Sequence, residues 1–275
     1  ALMPALAQVR PTVIASVPLI MEKIYRAKVL PTFQKSALMR KLYGWGWSRK
    51  ILHRVAGKQL KKLFGGRMRL FAIGGAKFDS AAERFLLEAG FPYGIGYGLT
   101  ETAPLLAGAV GNMVRVGSTG PALPAVKVRL DNINPETQQG EIVVQTPSCM
   151  VGYYKNEEAT KAAFTEDGWF RTGDLGAMAE DGWIFIKGRL KNMIVGPSGE
   201  NIYPEDIEEV LNSNRFVAES VVTEEDGKLI ALVHFDTTEL EEAYDEFKHK
   251  VAVSAEQLQL KMEEIKREVM KYVNS

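Results

Sequence analysis

Residues 68–98 alternate strand and helix patterns in an order that leaves few folds open. Met68-Arg69-Leu70-Phe71-Ala72-Ile73 is a short apolar strand, and Gly74-Gly75-Ala76 makes a tight turn after it. Ser80 with Glu83 three residues on reads as a capping box, opening a helix that runs to Ala89 and stops at Gly90. A second strand then leads into Gly94-Ile95-Gly96-Tyr97-Gly98. Strand, glycine turn, helix, strand predicts a β-α-β unit with parallel strands, since the helical crossover returns the chain to the same end of the sheet. Ligands of such open sheets collect at the carboxyl ends of the strands, and Gly74-Gly75-Ala76 and residues 97–101 both fall there.

The second of these ends carries chemistry. Glycines at 94, 96 and 98 let a backbone approach a ligand without side chains in the way, and Tyr97 between them offers a flat face. Leu99-Thr100-Glu101-Thr102 follows, with two hydroxyls and a carboxylate. Such a run can hold a flat ring, bond phosphate oxygens and give Mg²⁺ one hard oxygen ligand. Glycine spacing alone describes equally a strand that ends in a turn, and it is the shared location of the two glycine segments that favours a site.

On either side the texture differs. Thr12-Val13-Ile14-Ala15-Ser16-Val17 is extended and closed by Pro18, and residues 19–64 carry apolar positions at helical intervals with breaks at Pro31 and at Gly44/Gly46. From about 113 the chain turns β-rich. Val126, Val128 and Leu130 alternate with Lys127, Arg129 and Asp131, residues 141–145 and 183–187 are further strands, and the region reads as a small antiparallel sheet or barrel. Gly117-Ser118-Thr119-Gly120 has the composition of a phosphate loop but no following lysine, and reads as a turn. Asp167-Gly168-Trp169 and Asp181-Gly182-Trp183 suit hairpin turns. Pro204 with Glu205 and Asp206 opens a helix, and strands over 217–223 and 228–235 follow. Ser254 with Gln257 forms another capping box, before a helical face of Leu258, Met262, Ile265 and Val269 read as core.

With 275 residues, 46% of them hydrophobic, the chain can bury one large core and a smaller one. A single cysteine, Cys149, excludes a disulfide framework and fits a reducing, cytoplasmic compartment. No apolar run approaches the roughly 20 residues that span a bilayer. Residues 1–21 are apolar but interrupted by Pro4, Arg10, Pro11 and Pro18, and they do not form an intact signal peptide. The formal net charge of zero hides two blocks. Residues 22–69 hold 14 Lys/Arg against one acid, Glu22, and residues 200–246 hold 15 Asp/Glu against two bases. Such blocks are commonly solvated faces. Tyr43, Trp45 and Trp47 inside the basic one also suit an anionic membrane surface or a phosphate-rich ligand, whereas no groove-reading motif supports nucleic acid.

Several segments then fall into an ordered series: Tyr97-Gly98-Leu99-Thr100-Glu101, Gly152-Tyr153-Tyr154, Trp169-Phe170-Arg171-Thr172-Gly173-Asp174, and Gly188-Arg189-Leu190-Lys191 followed by Asn201-Ile202-Tyr203-Pro204. In order and spacing they resemble the core motifs of the adenylate-forming superfamily, which comprises acyl-CoA synthetases, luciferases and peptide-synthetase adenylation domains. Arg10-Pro11-Thr12-Val13, Ser16-Val17-Pro18 and Glu22-Lys23-Ile24-Tyr25 look most like the long-chain fatty acid CoA ligase branch.

The resemblance implies an α/β adenylation domain over 1–187 (α/β to 112, then a small antiparallel β-barrel), a hinge at 188–191, and part of a smaller α+β lid over 192–275. It implies that ATP and a fatty acid give an acyl-adenylate and pyrophosphate, and that coenzyme A then displaces AMP. By motif, Gly74, Gly75 and Ala76 would face the adenine by backbone, Gly96 would border the nucleotide, and Tyr97 would stack on the base. Gly98 would border the reacting carboxylate, Thr100 would bond phosphate, Glu101 would hold Mg²⁺, and Asp174 would bond both ribose hydroxyls with Arg189 nearby. Ile95 stands where many relatives carry a polar residue, which removes a side-chain contact to adenine. Lys191 would be the hinge of the lid, and Gly196-Pro197-Ser198-Gly199 would pass the pantetheine arm of CoA. The family's lysine-bearing phosphate loop and its carboxyl-terminal catalytic lysine are not in the sequence. The expectation is therefore a piece of a ligase, inactive alone in adenylation. The alternatives are another adenylating enzyme, such as one acting on amino acids, and a non-catalytic nucleotide-binding module.

Overall fold

The computed structural model describes residues 2–196, 201–214, 216–237 and 239–241, with 263 and 267 as isolated positions. The chain divides into two compact units, Ala1–Ile186 and Lys187–Ser275.

In the first unit, α1 (Leu2–Val9) leads into β1 (Val13–Ser16), and four helices follow: α2 (Pro18–Ile24), α3 (Leu30–Gln34), α4 (Ala37–Gly44) and α5 (Gly46–Leu63). Then come β2 (Leu70–Gly74), α6 (Ser80–Ala89), β3 (Tyr93–Gly98) and β4 (Leu105–Val110). The four strands lie in the order β1-β2-β3-β4, with β1/β2 and β2/β3 parallel and β3/β4 antiparallel. The β-α-β unit read from residues 68–98 is therefore β2-α6-β3. Its core gathers Met21, Phe64, Phe71, Phe85, Leu86 and Tyr93, none more than 1% exposed. Each such side chain contributes about 1.5–3 kcal/mol by leaving water.

Helix α5 crosses α6 closely. A Cβ on Gly57 would lie 2.7 Å from Ala89 Cβ, so only a bare α-carbon fits there. Arg49 donates from Nε and Nη2 to the two oxygens of Glu88 at 3.0 and 2.8 Å, and Nδ1 of the buried His53 lies 2.8 Å from the same carboxylate. Burial holds the imidazole below its ordinary range even though Glu88 pulls the other way.

Two local expectations are corrected here. The helix does not break at Pro31. A π-helical turn, Tyr25–Val29, joins α2 to α3. Proline has no N–H for the carbonyl four residues back, and widening the turn before it lets the Leu30 N–H reach Tyr25 O instead. The cap of α6 is Asp79, not Ser80, since Asp79 Oδ1 accepts from the Ala82 N–H at 2.7 Å. Glu83 thus sits outside any capping box, and its Oε2 accepts from the Gly117 N–H at 2.8 Å.

The β-rich part holds β5 (Gly120–Pro121), β6 (Lys127–Asp131), β7 (Gly140–Gln145), α7 (Glu157–Ala162), β8 (Phe170–Met178) and β9 (Trp183–Arg189). Its five strands form one sheet in the order β5-β9-β8-β7-β6, with β5/β9, β6/β7 and β7/β8 antiparallel. Its core is shared with the first sheet, because Leu106 and Ala107 of β4 pack with Ile142, Val144, Phe170 and Ile184. Both Asp-Gly-Trp segments are turns, with Gly168 and Gly182 at φ of +80° and +82°. Each is clamped by an arginine that bonds the aspartate and lies over the tryptophan of the same segment. Arg129 serves Asp167 and Trp169, and Arg115 serves Asp181 and Trp183.

In the second unit, β10 (Ile194–Val195) pairs antiparallel with β11 (Asn201–Ile202). Helix α8 (Pro204–Ser213) carries Glu205 and Asp206 in its first turn, where the helix dipole favours them. The hairpin β12 (Val217–Glu225) and β13 (Lys228–Phe235) turns through Asp226 and Gly227, both at positive φ as a two-residue hairpin turn requires. Leu211, Val217 and Val222 are its core. The Ser254/Gln257 cap and the face of Leu258, Met262, Ile265 and Val269 lie outside the described residues.

Candidate nucleotide site

β2 and β3 end side by side. Gly74 is in register with Gly96, and a Cβ on Gly74 would meet Gly96 O at 2.9 Å, so a side chain there would crowd the neighbouring strand at the carboxyl edge. Gly75, at φ +91°, turns the chain away and leaves Gly75 and Ala76 exposed at that edge. Gly98 is more constrained. A Cβ there would lie 1.6 Å from Pro104 O, so this strand end must be glycine for β4 to return against it.

The loop between them is tied to itself. Thr102 is fully buried. Its Oγ1 accepts from the Leu99 N–H at 3.2 Å, and its hydroxyl lies within donating distance of Leu99 O and Pro104 O. Ser148 donates to Thr102 O at 2.8 Å, and the Met150 N–H to Glu101 O at 2.7 Å. This holds Thr100 exposed and Glu101 half-buried on a short 3₁₀ turn, with Ala103 in the left-handed region at φ +53°.

Asp174 arrives from the other sheet. The β7/β8 register shifts between Glu141 and Val143, so residues 172–174 of β8 stand opposite Ile142. Such a bulge re-aims side chains. Thr172 fixes it by donating to Ile142 O at 2.7 Å and accepting from the Asp174 N–H at 3.0 Å, and Gly173 takes φ +69°. Asp174 is 4% exposed, and its Oδ2 accepts from the Tyr97 hydroxyl at 2.6 Å. The Tyr97 ring also packs against the Leu106 and Ile142 cluster, so packing and hydroxyl together fix its plane.

Glu101 has a partner to which sequence reasoning gave no role. The Tyr153 hydroxyl donates to Glu101 Oε1 at 3.0 Å. Burial, then this bond, raise the phenol above its ordinary range. Gly152 sits where a Cβ would press on Thr160 at 2.7 Å, and Thr160 Oγ1 accepts from the Tyr153 N–H. The Gly152-Tyr153-Tyr154 segment was legible as a motif, but nothing local tells which carboxylate its phenol meets.

A Mg²⁺ ion at this carboxylate fits the residues present. No group of three or more His, Cys, Asp or Glu that could hold a metal occurs among the described residues. Mg²⁺ is ordinarily held by one or two carboxylates together with substrate phosphates and water, which a single Glu101 on a turn can serve.

The structure thus brings Gly74, Gly75, Ala76, Gly96, Tyr97, Gly98, Thr100, Glu101 and Asp174 into one unit. Arg189 ends β9, and Lys191 lies on the 3₁₀ turn Leu190–Asn192 that follows it, both in the second unit. There Asn192 donates to Glu205 Oε1 at 2.9 Å, and Gly188 lies where a Cβ would meet Glu205 Oε2. Of the glycine loop at 196–199 only Gly196 is described.

A mostly parallel sheet thus abuts an antiparallel one, with a glycine-lined strand edge, a fixed tyrosine and a buried aspartate where they meet. The chain belongs to the AMP-binding enzyme family, whose pattern matches residues 1–154. It is 30% identical over 92% of its length to the long-chain-fatty-acid–CoA ligase FadD15 of Mycobacterium bovis, covering 44% of that protein. It is 31% identical over 84% of its length to the peroxisomal long chain acyl-CoA synthetase 6 of Arabidopsis thaliana, covering 36% of it. The chain therefore spans less than half the length of these relatives. Among solved structures, it is 25% identical to the o-succinylbenzoate CoA synthetase (MenE) of Bacillus subtilis in complex with the acyl-adenylate intermediate OSB-AMP. That match has a TM-score of 0.62 over 89% of this chain and 46% of the other. The same synthetase in complex with ATP and magnesium ion, at 24% identity, has the same fold, with a TM-score of 0.60 over 85% and 43%.

Proposed function

We propose that the full-length protein activates a long-chain fatty acid with ATP, forming an acyl-adenylate and pyrophosphate, and transfers the acyl group to coenzyme A with release of AMP. The observation that carries this reading is the Tyr97–Asp174 bond, which makes one rigid unit of a flat ring and a buried carboxylate beside the glycine edge. The substrate class rests on the long-chain ligases among the relatives.

In this reading the backbone at Gly74, Gly75, Ala76 and Gly96 borders the adenine, and Tyr97 stacks on it. Asp174 accepts from the ribose hydroxyls, and Arg189 is a further nucleotide-binding residue by the family motif. Thr100 donates to a phosphate oxygen. Glu101 is the metal carboxylate, and bound Mg²⁺ would offset charge as pyrophosphate leaves. Lys191 is the pivot between a domain ending near 187 and a lid, where a few backbone angles can absorb a large rotation between the two half-reactions. A fatty acid partitions into membranes, and the same reading puts the protein in the cytoplasm with access to a lipid surface.

The test is pyrophosphate release by the full-length protein with ATP and Mg²⁺, offered long-chain fatty acids, o-succinylbenzoate or amino acids in turn. Preferential turnover of the fatty acids, with CoA-dependent AMP release, is expected. Preference for amino acids would replace the substrate class, and no turnover of any acid would favour a non-catalytic nucleotide-binding module.

A further inference from the structure

Residues 188–192 fold onto the first helix of their own unit, α8. Arg189 closes β9, and Leu190–Asn192 form the 3₁₀ turn that carries Lys191. One side chain touches this stretch at both ends. Glu205, in the first turn of α8, accepts from Nδ2 of Asn192 at 2.9 Å through Oε1. Its Oε2 lies where a Cβ on Gly188 would stand only 2.9 Å away, so the bare α-carbon of Gly188 leaves the space that the carboxylate fills. These contacts fall three residues before Lys191 and one residue after it. They therefore span the backbone angles that a rotation at Lys191 has to change.

The two contacts differ in sign. The Asn192 bond favours this arrangement. Oε2, in contrast, is shut away from solvent and has no hydrogen-bond partner among the described residues. A buried carboxylate oxygen without a donor opposes the arrangement that buries it. Held by one bond and weakened by one orphaned oxygen, the contact is balanced so that it can open, as an element with two settings must be. The packing of α8 does not call for a carboxylate here. The helix is held on its hairpin by Leu211 with Val217 and Val222, and Asp206 supplies another first-turn acid for the helix dipole. We infer that Glu205 braces the pivot, acting through Gly188 and Asn192 as a positioning residue that sets the balance between the two orientations of the lid. This rests on the reading of residues 188–191 as the hinge of an adenylating ligase.

The experiment times the two half-reactions of the full-length protein separately. One is pyrophosphate release from ATP and a long-chain fatty acid without CoA. The other is thioester formation from supplied acyl-adenylate and CoA. Glu205→Ala removes both contacts, so one half-reaction should slow while the other holds or gains, moving the ratio of the two rates by about fivefold, the effect of about one net hydrogen bond. Asn192→Ala should do the same from the other end of the brace. Glu205→Gln keeps an oxygen for Asn192 and should stay within about twofold of the native ratio. Gly188→Ala, whose methyl would displace the carboxylate, should reproduce the shift, and adding it to Glu205→Ala should change nothing further, since both act on one contact. Both rates falling together in Glu205→Ala, with Glu205→Gln no better, would make Glu205 a residue of the fold alone and overturn the inference. An unchanged ratio in Glu205→Ala, or additive effects in the double variant, would also overturn it. If the unaltered protein carries out neither half-reaction, the ligase reading falls and the brace with it.

Discussion

Tyr97 donates its hydroxyl to Oδ2 of Asp174 at 2.6 Å, linking residues 77 positions apart on two different sheets. Neither partner is placed by the other alone. Tyr97 is fixed by the glycine-flanked end of β3, and Asp174 by the bulge in β8 that Thr172 holds. A base lying on the ring and a ribose reaching the carboxylate would be read by one preorganised unit, which lowers the ordering cost of binding.

Replacing Tyr97 by Phe keeps the ring and removes this bond. Affinity for AMP should fall by about 1–2 kcal/mol, with a small loss of thermal stability, because a buried carboxylate loses a donor. Asp174→Ala should weaken AMP binding by about 1–3 kcal/mol and leave adenine-only ligands little affected. Calorimetric titration of AMP and of adenine into both variants of the full-length protein separates the two effects. Equal losses for AMP and adenine in the Asp174 variant would remove the ribose role.

Glu101 and Tyr153 form the second coupled pair. Glu101→Gln should raise the Mg²⁺ concentration needed for half-maximal pyrophosphate release by more than about 100-fold, beyond the effect of losing a group that only orients a metal ligand. Tyr153→Phe should raise it less, on the order of the 10- to 100-fold effects known for groups that orient a metal ligand. The Mg²⁺ dependence at saturating ATP decides it, and an unchanged dependence in both variants would detach this carboxylate from the metal.

Two glycines of one strand should differ sharply on substitution. A Cβ on Gly98 would fall 1.6 Å from a backbone oxygen, Pro104 O, whereas one on Gly96 would meet only the tip of Leu105 at 2.7 Å. The Leu105 side chain is exposed and can rotate away. Gly96→Ala should therefore cost about 1 kcal/mol, and Gly98→Ala more than about 3 kcal/mol or the fold of the loop, as for severe overpacking. Urea unfolding of the two variants gives the comparison.

What could be read along the chain was what neighbouring residues decide. The strand, turn, helix and strand of residues 68–98 follow from periodicity and glycine placement, and so do the two Asp-Gly-Trp turns. What could not be read depends on partners far away in sequence. Arg129 of β6 and Arg115 of the loop before β5 clamp those turns, and Tyr153 finds Glu101 from 52 positions along the chain. The misplaced cap on α6 belongs between the two cases. Ser80 and Glu83 satisfy the capping pattern, but Asp79 one residue earlier is the better acceptor for the first turn. That frees Glu83 for a tertiary bond no local pattern announces.

The burial of Glu83 sets a pH dependence. Glu83 is 2% exposed, and burial pushes its carboxyl up to about 7, with the Gly117 N–H and the Tyr93 hydroxyl pulling part of the way back. Tyr93 itself is raised, by burial and by the same carboxylate. In the unfolded chain Glu83 titrates near 4.3, the ordinary value for the side chain. Below that pH both states hold the proton, and the contribution to stability is fully present. Between about 4.3 and 7 the unfolded chain releases the proton while the folded chain keeps it, so stability falls as pH rises and levels off above the folded value. The difference amounts to about 3–4 kcal/mol. E83Q keeps an oxygen for the Gly117 N–H and cannot ionise. It should match the native chain near pH 4 and exceed its stability by about 3–4 kcal/mol above pH 7. Urea unfolding across that range measures the gap, and a gap that does not change with pH would mean that Glu83 ionises alike in both states.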